Sequence, residues 1–203
     1  MVSRSLLAHD RQLVQIVDAA FAEAARRAGE WLVCRVGCSQ CCIGAFAINE
    51  LDAARLRTGL SEIERHDSRR AERVRKRAKT YLERIKSDFP GDFATGILHE
   101  DQHSAERFLS FADDEPCPAL DPETGGCDLY ASRPLTCRVF GPPLRNEDGN
   151  LGVCELCFQG ATNEQIADCE LKPDPDGLEQ ELIRELEEEG KTGNTLVAFA
   201  LAK

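Results

Sequence analysis

The segment Cys34-Arg35-Val36-Gly37-Cys38-Ser39-Gln40-Cys41-Cys42 places four cysteines within nine residues. This density is not typical of core packing, because thiols three or four residues apart in a glycine-containing loop can turn towards one point. Thiolate knuckles for zinc and for iron–sulfur clusters use this geometry. The segment therefore predicts a metal-binding loop, with structural disulfides or scattered thiols as the alternative.

A second series of cysteines lies about 75 residues downstream. We expect the fold to bring the two series together, so that a metal closes the loop between them. Nine clustered cysteines are one more than two four-thiolate sites require, which leaves schemes with one and with two centres open. The role of Cys169 also stays open. The predicted metal ligands are Cys34, Cys38, Cys41, Cys42, Cys117, Cys127, Cys137, Cys154 and Cys157.

Composition predicts one domain over residues 1–203, since the chain is long enough for a core and is 42% hydrophobic. Ten cysteines and no apolar signal segment in the first ten residues predict a cytoplasmic protein with metal ligands rather than disulfides. No apolar run approaches the about 20 residues that span a bilayer. The net charge of -11 argues against a nucleic-acid partner. We expect an unidentified protein or small molecule as the partner instead.

Hydrophobic periodicity predicts a mainly α fold with a few short strands near the cysteine loops, stapled by the cysteine-bound metal centre. The metal-binding core is expected over about 34–157, with helical flanks at 5–28 and 177–189. We expect Asn49 to be the N-cap of a short helix that stops near Gly59. Ser61-Glu62-Ile63-Glu64 has the form of a capping box and predicts a new helix that runs to about Ser87.

The second of these helices carries a run of basic residues in an otherwise acidic protein. We interpret the run as a solvated face with Glu72 and Glu83 as partners, and a patch for an acidic partner or nucleic acid is the alternative. The run consists of Arg69, Arg70, Arg73, Arg75, Lys76, Arg77 and Lys79.

Two further motifs suggest enzymatic functions. His99-Glu100-Asp101-Gln102-His103 matches the H-E-x-x-H pattern of zinc peptidases, but Asp101 places a charge where a neutral side chain packs, which favours a polar helix start. Cys34-x3-Cys38-x2-Cys41 has the spacing by which radical S-adenosylmethionine enzymes hold a 4Fe–4S cluster. The chain is too short and too helical for their complete strand–helix barrel.

The cysteines recur with particular neighbours in Cys38-x2-Cys41-Cys42, Cys117-Pro118-x-Leu120, Cys127-x-Leu129-Tyr130, Arg133-Pro134 and Cys137-Arg138-x-Phe140. This pattern resembles the YkgJ-type cysteine-cluster family, which is named for its CxxCxxCC signature and described as zinc- or iron-chelating. The likeness covers about residues 34–157. The family's first cysteine would fall on Arg35, and this chain has Cys34 instead. The flagellin lysine methylase, a relative, implies that some members are enzymes. The resemblance implies a cluster built on Cys38, Cys41, Cys42, Cys117, Cys127 and Cys137.

The sequence thus predicts a cytoplasmic protein that holds an iron–sulfur cluster, expected as 4Fe–4S, or zinc, in a structural or redox role. All-thiolate sites suit both metals. No histidine lies close to a cysteine cluster, and the adjacent pair Cys41-Cys42 favours a centre whose irons present separate ligand positions. The alternatives are a cluster-dependent enzyme with methyl-transfer or radical-type chemistry and a metal-stabilised interaction module.

Overall fold

A computed structural model describes residues 2–35, 37–146 and 149–203 of the chain. Helices account for about 51% of the residues, which confirms the predicted mainly α class with few short strands. The α-helices in the described part are α1 Arg4–Ala28, α2 Glu50–His66, α3 Ser68–Ile85, α4 Gln102–Phe108, α5 Leu135–Arg138, α6 Asn163–Asp168, α7 Leu178–Glu188 and α8 Val197–Leu201. The strands are β1 Ala47–Ile48, β2 Gly91–Asp92, β3 Ile97–Leu98, β4 Leu144–Arg145, β5 Leu151–Gly152 and β6 Thr195–Leu196.

The contacts of the backbone divide the chain into two compact units. Unit 1 contains residues 3–35 and, from the second half of the chain, the described residues of 135–188. Unit 2 contains residues 37–134 and 189–203. The cysteines are distributed evenly, with five in each unit. The single domain expected over residues 1–203 stays a prediction.

Unit 1 is organised on the long helix α1. Ser3 caps its start by accepting a hydrogen bond from the backbone of Leu6, and Gly29 ends it with a positive φ of 52°. Leu13 and Val17 lie on its buried face, as the sequence periodicity predicts. In this unit α1 packs against α7 and α5, so the predicted helical flanks at 5–28 and 177–189 correspond to two helices that contact each other.

The remaining part of unit 1 is short and irregular. β4 and β5 form an antiparallel hairpin in which Arg145 pairs with Leu151. The sequence Asn146-Glu147-Asp148-Gly149-Asn150 between them predicts a turn, of which Glu147 and Asp148 lie outside the described residues. α6 begins at a capping box between Thr162 and Gln165 and leads directly to Cys169. These elements place the C-terminal cysteines of the unit on loops.

Unit 2 is built on α2, α3 and α8, which pack against one another. Leu56, Val74 and Leu201 are almost fully buried where these helices meet. Val74 belongs to an apolar seam that hydrophobic periodicity predicts for α3 and that also includes the buried residues Ala78 and Ile85. The apolar segment 195–202, whose composition suits either a helix or a strand, forms both, because β6 pairs with β1 before the chain turns into α8.

The predicted break between two helices near Gly59 is wrong. α2 continues through Gly59 to His66, and the hydroxyl of Ser61 donates to the carbonyl of Arg57 inside the helix instead of capping a new one. A Cβ on Gly59 would lie 2.2 Å from Oγ of Ser132, so the glycine permits a close approach rather than ending the helix. The true boundary is Asp67, whose carboxylate accepts from the backbone of Arg70.

None of the helices in the described residues is long and apolar enough to cross a membrane. The three small sheets in the same residues are antiparallel pairs. The repeated strand–helix barrel of radical enzymes is therefore not formed by the part of the chain that the structure describes.

Candidate metal centre

The predicted approach of the two cysteine series begins with backbone pairing inside unit 2. Cys42 ends a short 3-10 helix, Gln40–Cys42. Its carbonyl accepts a hydrogen bond of 2.7 Å from the backbone of Cys117, and the next residue, Ile43, bridges antiparallel to Pro116. The pairing fixes the register of segments that are about 75 residues apart in sequence. The expectation that the fold joins the first cysteines to the downstream ones is confirmed for this pair.

The loop from Cys117 to Asp128 folds back on itself and brings the next cysteine to the same place. Leu120 bridges antiparallel to Cys127, and the backbone of Asp128 donates to the carbonyl of Ala119 over 2.8 Å. Cys117 and Cys127 both pack against the helical core of unit 2. Packing against this core and the pairing within the loop thus hold the two cysteines close to each other.

Cys38 lies where the first cysteine loop meets the tip of this second loop. A Cβ on Gly125 would be 3.1 Å from the carbonyl oxygen of Gly37, and Gly125 has a φ of +67°. Only a glycine allows both this conformation and this approach without strain. Cys38 follows Gly37 directly and is partly exposed.

The thiols of Cys41 and Cys42 contact each other, although side chains of adjacent residues usually diverge. The Cys42 thiol donates a hydrogen bond to the Cys41 sulfur, which lowers the pKa of Cys41 to about 6. The same bond raises the pKa of Cys42, and burial and the negative sulfurs of Cys41, Cys117 and Cys127 raise it further. Four thiols from three segments therefore influence one another electrostatically.

Burial raises the pKa values of the downstream cysteines Cys117 and Cys127, whereas the hydrogen bond at Cys41 lowers the pKa of that thiol. Removal from water raises the pKa of Cys117 to about 12 and also raises the pKa of Cys127. Burial likewise raises the pKa of Tyr81, with the neighbouring Cys117 sulfur as a second cause. Without a cation the four sulfurs cannot all be thiolates, because each negative charge disfavours the next.

Asp128 anchors the downstream cysteine loop to α3. Its side chain is only 6% exposed and accepts from Arg70 over 2.5 Å and from Arg77. Arg77 also donates to the carbonyl of Pro118 over 2.9 Å, so one guanidinium reaches both ends of the loop. These contacts position the segment between Cys117 and Cys127 from outside the thiol group.

The basic run on α3 is therefore only partly the solvated face that the sequence suggests. The predicted partners Glu72 and Glu83 are not the ones observed: Arg75 forms its ion pair with Glu64 over 2.8 Å, and Arg70 and Arg77 bind Asp128. The sequence analysis did not predict that Arg70 and Arg77 bind the downstream cysteine loop. Their seven-residue spacing, which places both on one face beside the apolar seam, was the available signal.

Unit 1 holds a second group of thiols. The Sγ atoms of Cys34 and Cys157 are 4.0 Å apart. Cys157 is in hydrogen-bonding contact with Cys154 as well, and its backbone donates to the carbonyl of Cys154 over 2.9 Å, which closes the C-x-x-C turn. Burial raises the pKa of Cys157, whereas the backbone N–H of Val33 donates to its sulfur and lowers it. Cys157 thus lies between Cys34 and Cys154.

The other cysteines of unit 1 are Cys137 and Cys169. Cys137 is on α5 and partly exposed. The following residue, Arg138, is buried and donates to both carboxylate oxygens of Asp18 on α1 over 2.7 and 2.8 Å, which fixes the short helix. Cys169 is buried in the apolar cluster around Phe158.

The donor chemistry fits a zinc or iron centre in each unit, because sulfur is the ligand that these metals share in closed protein sites. None of the ten cysteines, which all lie within the described residues, is oxidised to a disulfide. No three His, Cys, Asp or Glu side chains among the described residues form a ready coordination sphere. Metal binding therefore requires the grouped thiols to rearrange.

The H-E-x-x-H match does not have the geometry of a zinc peptidase. His99 follows β3 and precedes α4, whereas His103 lies in the first turn of α4, so the two histidines do not share a helix. Asp101 is the N-cap and accepts hydrogen bonds from the backbone and the hydroxyl of Ser104. The preferred interpretation, a polar helix start, is confirmed.

Comparison with known proteins identifies the family. The model of the CxxCxxCC family, whose description is "putative zinc- or iron-chelating domain", matches residues 33–157. No curated protein and no solved structure matches the chain. The matched range contains nine of the ten cysteines and covers more than half of the sequence. The chain therefore belongs to the CxxCxxCC family of zinc- or iron-chelating domains.

Proposed function

We propose that the protein binds an iron–sulfur cluster through the cysteines of unit 2 and that this centre has a structural or redox role in the cytoplasm. One observation carries the proposal: backbone pairing of Cys42 with Cys117 gathers thiols from distant segments at the edge of a helical core. The proposed ligands are Cys38, Cys41, Cys42, Cys117 and Cys127.

The charges of these thiols support a bound cation. Burial raises the pKa values of Cys117 and Cys127, and the neighbouring sulfurs raise that of Cys42. A metal centre reverses this, because a coordinated thiol is deprotonated and the cation offsets the repulsion between thiolates. Metal binding therefore converts an unfavourable group of thiols into a stabilising one.

Five cysteines in one unit favour a multi-iron centre over a single tetrahedral ion, which takes four ligands. Zinc is the second candidate, because all-thiolate sites suit both metals. Elemental composition distinguishes the two candidates directly.

The surroundings of Cys117 favour a structural or redox role over turnover of a substrate. The cavity that borders Cys117 and Tyr81 has a volume of about 10 Å³, which corresponds to a single water molecule. A redox centre needs only an electron path to a partner, and a structural centre needs no access. An unidentified protein or small molecule would then be the redox partner.

Anaerobic purification of the full chain, followed by iron, sulfide and zinc analysis and visible absorption, tests the proposal. We expect a brown protein with a broad band at about 400 nm, as thiolate-bound clusters show. The double variant C117S/C127S should lose this band, and C169S, which changes a cysteine of unit 1, should keep it. A colourless protein with stoichiometric zinc would show that zinc, the second candidate, occupies the site instead of a cluster. A protein without iron or zinc would overturn both.

A further inference from the structure

We infer that unit 2 carries a binding site for a small aromatic amine, a molecule with one ring and a protonated amino group on a short chain. The site is a cavity beside α4 with a volume of about 210 Å³. None of the described residues that line it is a cysteine. The inference therefore depends neither on the metal centre nor on the proposed function.

The segments around the cavity are fixed to one another by backbone hydrogen bonds. The backbone of His99 donates to the carbonyl of Pro90 over 3.1 Å, and that of Leu98 donates to the carbonyl of Asn194 over 2.8 Å. α4, which forms the remaining wall, is fixed at its start by the capping carboxylate of Asp101. Small-molecule sites are usually formed largely before the ligand binds, and this framework has that property.

One side of the cavity is apolar and has the size of a single ring. It is formed by Pro90, Leu98, Ala105 and Phe108. The ring of Phe108 stacks on that of Phe111 with the centroids 6.0 Å apart, which holds it in place. An apolar cavity of about 150 Å³ binds benzene. A cavity of about 210 Å³ therefore accommodates a ring with a short substituent.

The other side of the cavity offers hydrogen-bond acceptors. Ser104 is 6% exposed, and its hydroxyl donates to Asp101 over 2.7 Å, so its oxygen can only accept from a ligand. Glu100 contributes a carboxylate, and Asn194 contributes an amide whose oxygen accepts as well. A ligand that fits this side must therefore bring hydrogen-bond donors.

The charges around the cavity select a cation. Among the described lining residues only His99 can be positive, and it lies within electrostatic range of the carboxylates of Asp92 and Asp101. Glu100 leaves the lining with a negative charge at neutral pH. A protonated amine supplies the positive charge and the donors that the polar side lacks, whereas a carboxylate would be repelled. His99 and Glu100 are exposed, so the polar side is open to an entering ligand.

Titration of the full chain with phenethylamine, followed by two-dimensional NMR of the backbone amides, tests the site. We expect saturable shifts at the amides of His99 and Ala105 and a dissociation constant of about 1 mM or lower, as suits a ligand of this size. Phenylpropionate is the matching anion, and butylamine is a cation without a ring. Each should bind at least about tenfold more weakly. No saturable binding of phenethylamine, or equal binding of either comparison compound, would overturn the inference.

Substitutions locate the binding within the cavity. Ala105→Trp fills the apolar side and should abolish binding, and Glu100→Gln removes the charge and should weaken binding by about tenfold. Both positions are exposed, so neither change removes a core contact. The matched control Glu106→Gln changes a carboxylate of the same helix that pairs with Gln102 and does not line the cavity, and it should leave the affinity unchanged. Unchanged affinity in A105W or in E100Q would overturn the site.

Discussion

The downstream cysteines of unit 2 pack against a core of three helices, whereas most cysteines of unit 1 lie on loops around a small apolar cluster. Leu56, Val74 and Leu201 belong to a continuous buried core beside Cys117 and Cys127. In unit 1 the corresponding cluster is built on Ala28, Cys157, Phe158 and Cys169, so two of its four buried members are themselves cysteines.

This difference predicts that a bound metal would affect the stability of the two units differently. In unit 2 the core and the ion pairs of Asp128 hold the cysteine loop before a metal binds. Around the cysteines of unit 1 the buried cluster is smaller, so a larger part of the free energy of a bound metal would become folding free energy there.

Removal of metal should have the largest effect and should separate the two units. With a chelator under reducing conditions, we expect amide exchange around Cys154 and Cys157 to accelerate by about 100-fold or more, which corresponds to about 3 kcal/mol. Amides of α2 and α3 near Leu56 and Val74 should accelerate by less than about tenfold. Hydrogen exchange followed by mass spectrometry measures both. Equal acceleration in the two units would contradict the comparison.

The substitution Asp128→Ala should destabilise unit 2 by about 2 to 3 kcal/mol. It leaves Arg77 and Arg70 without their buried acceptor and frees the cysteine loop from α3. The partial exposure of both guanidinium groups keeps the effect below that of a fully buried pair. Urea denaturation measures the loss.

The matched control for Asp128→Ala is Glu64→Ala, which removes the more exposed ion pair of Arg75 on the same helix. It should cost less than about 1 kcal/mol. If the two substitutions cost the same, Asp128 does not anchor the loop. Reduced metal content in D128A with the helical circular dichroism retained would strengthen the assignment.

Gly59→Ala should destabilise unit 2 by about 1 to 2 kcal/mol, although alanine favours helix. The new Cβ would lie 2.2 Å from Oγ and 2.5 Å from Cβ of Ser132, and the strain exceeds the gain in helix propensity of about 1 kcal/mol. Ser132→Gly in the same chain should restore most of the stability, which a double-mutant cycle detects. Thr58→Ala, one residue away and exposed, should change stability by less than about 0.5 kcal/mol.

The smallest effect is expected at the start of α6 in unit 1. Thr162→Ala removes the hydroxyl that accepts from the backbone of Gln165 and should cost about 1 kcal/mol. Thr162→Ser keeps the hydroxyl and should be almost neutral. Exchange of the α6 amides measures both changes. An effect of Thr162→Ala that exceeds that of metal removal would show that helix capping, and not metal, stabilises this part of unit 1.

Periodicity and capping predicted several elements because these signals act within a few residues. The buried face of α1, its end at Gly29 and the acidic helix α7 follow from spacing alone. The same reasoning failed at Gly59, where local propensity indicated a break. Contact with Ser132, which is more than 70 residues away, explains the glycine instead.

The partners of the basic residues could not be predicted for the same reason. Arg70 and Arg77 had acidic neighbours in sequence, but their acceptor Asp128 lies 58 and 51 residues downstream of them. Ion pairs depend on which charges the fold brings within a few ångströms, and sequence distance does not report this. The link between α3 and the cysteine loop was therefore visible only in the structure.

The sequence by itself determined the family, the helical class and the thiol-rich donor set, because cysteine spacing and hydrophobic periodicity are properties of short segments. Only the tertiary structure decided how the ten cysteines are grouped. It paired Cys42 with Cys117 in unit 2 and Cys34 with Cys157 in unit 1, although Cys34 and Cys42 are eight residues apart. The physical reason is that neighbours in sequence can pack with different cores, and backbone pairing and burial then select the thiols that meet.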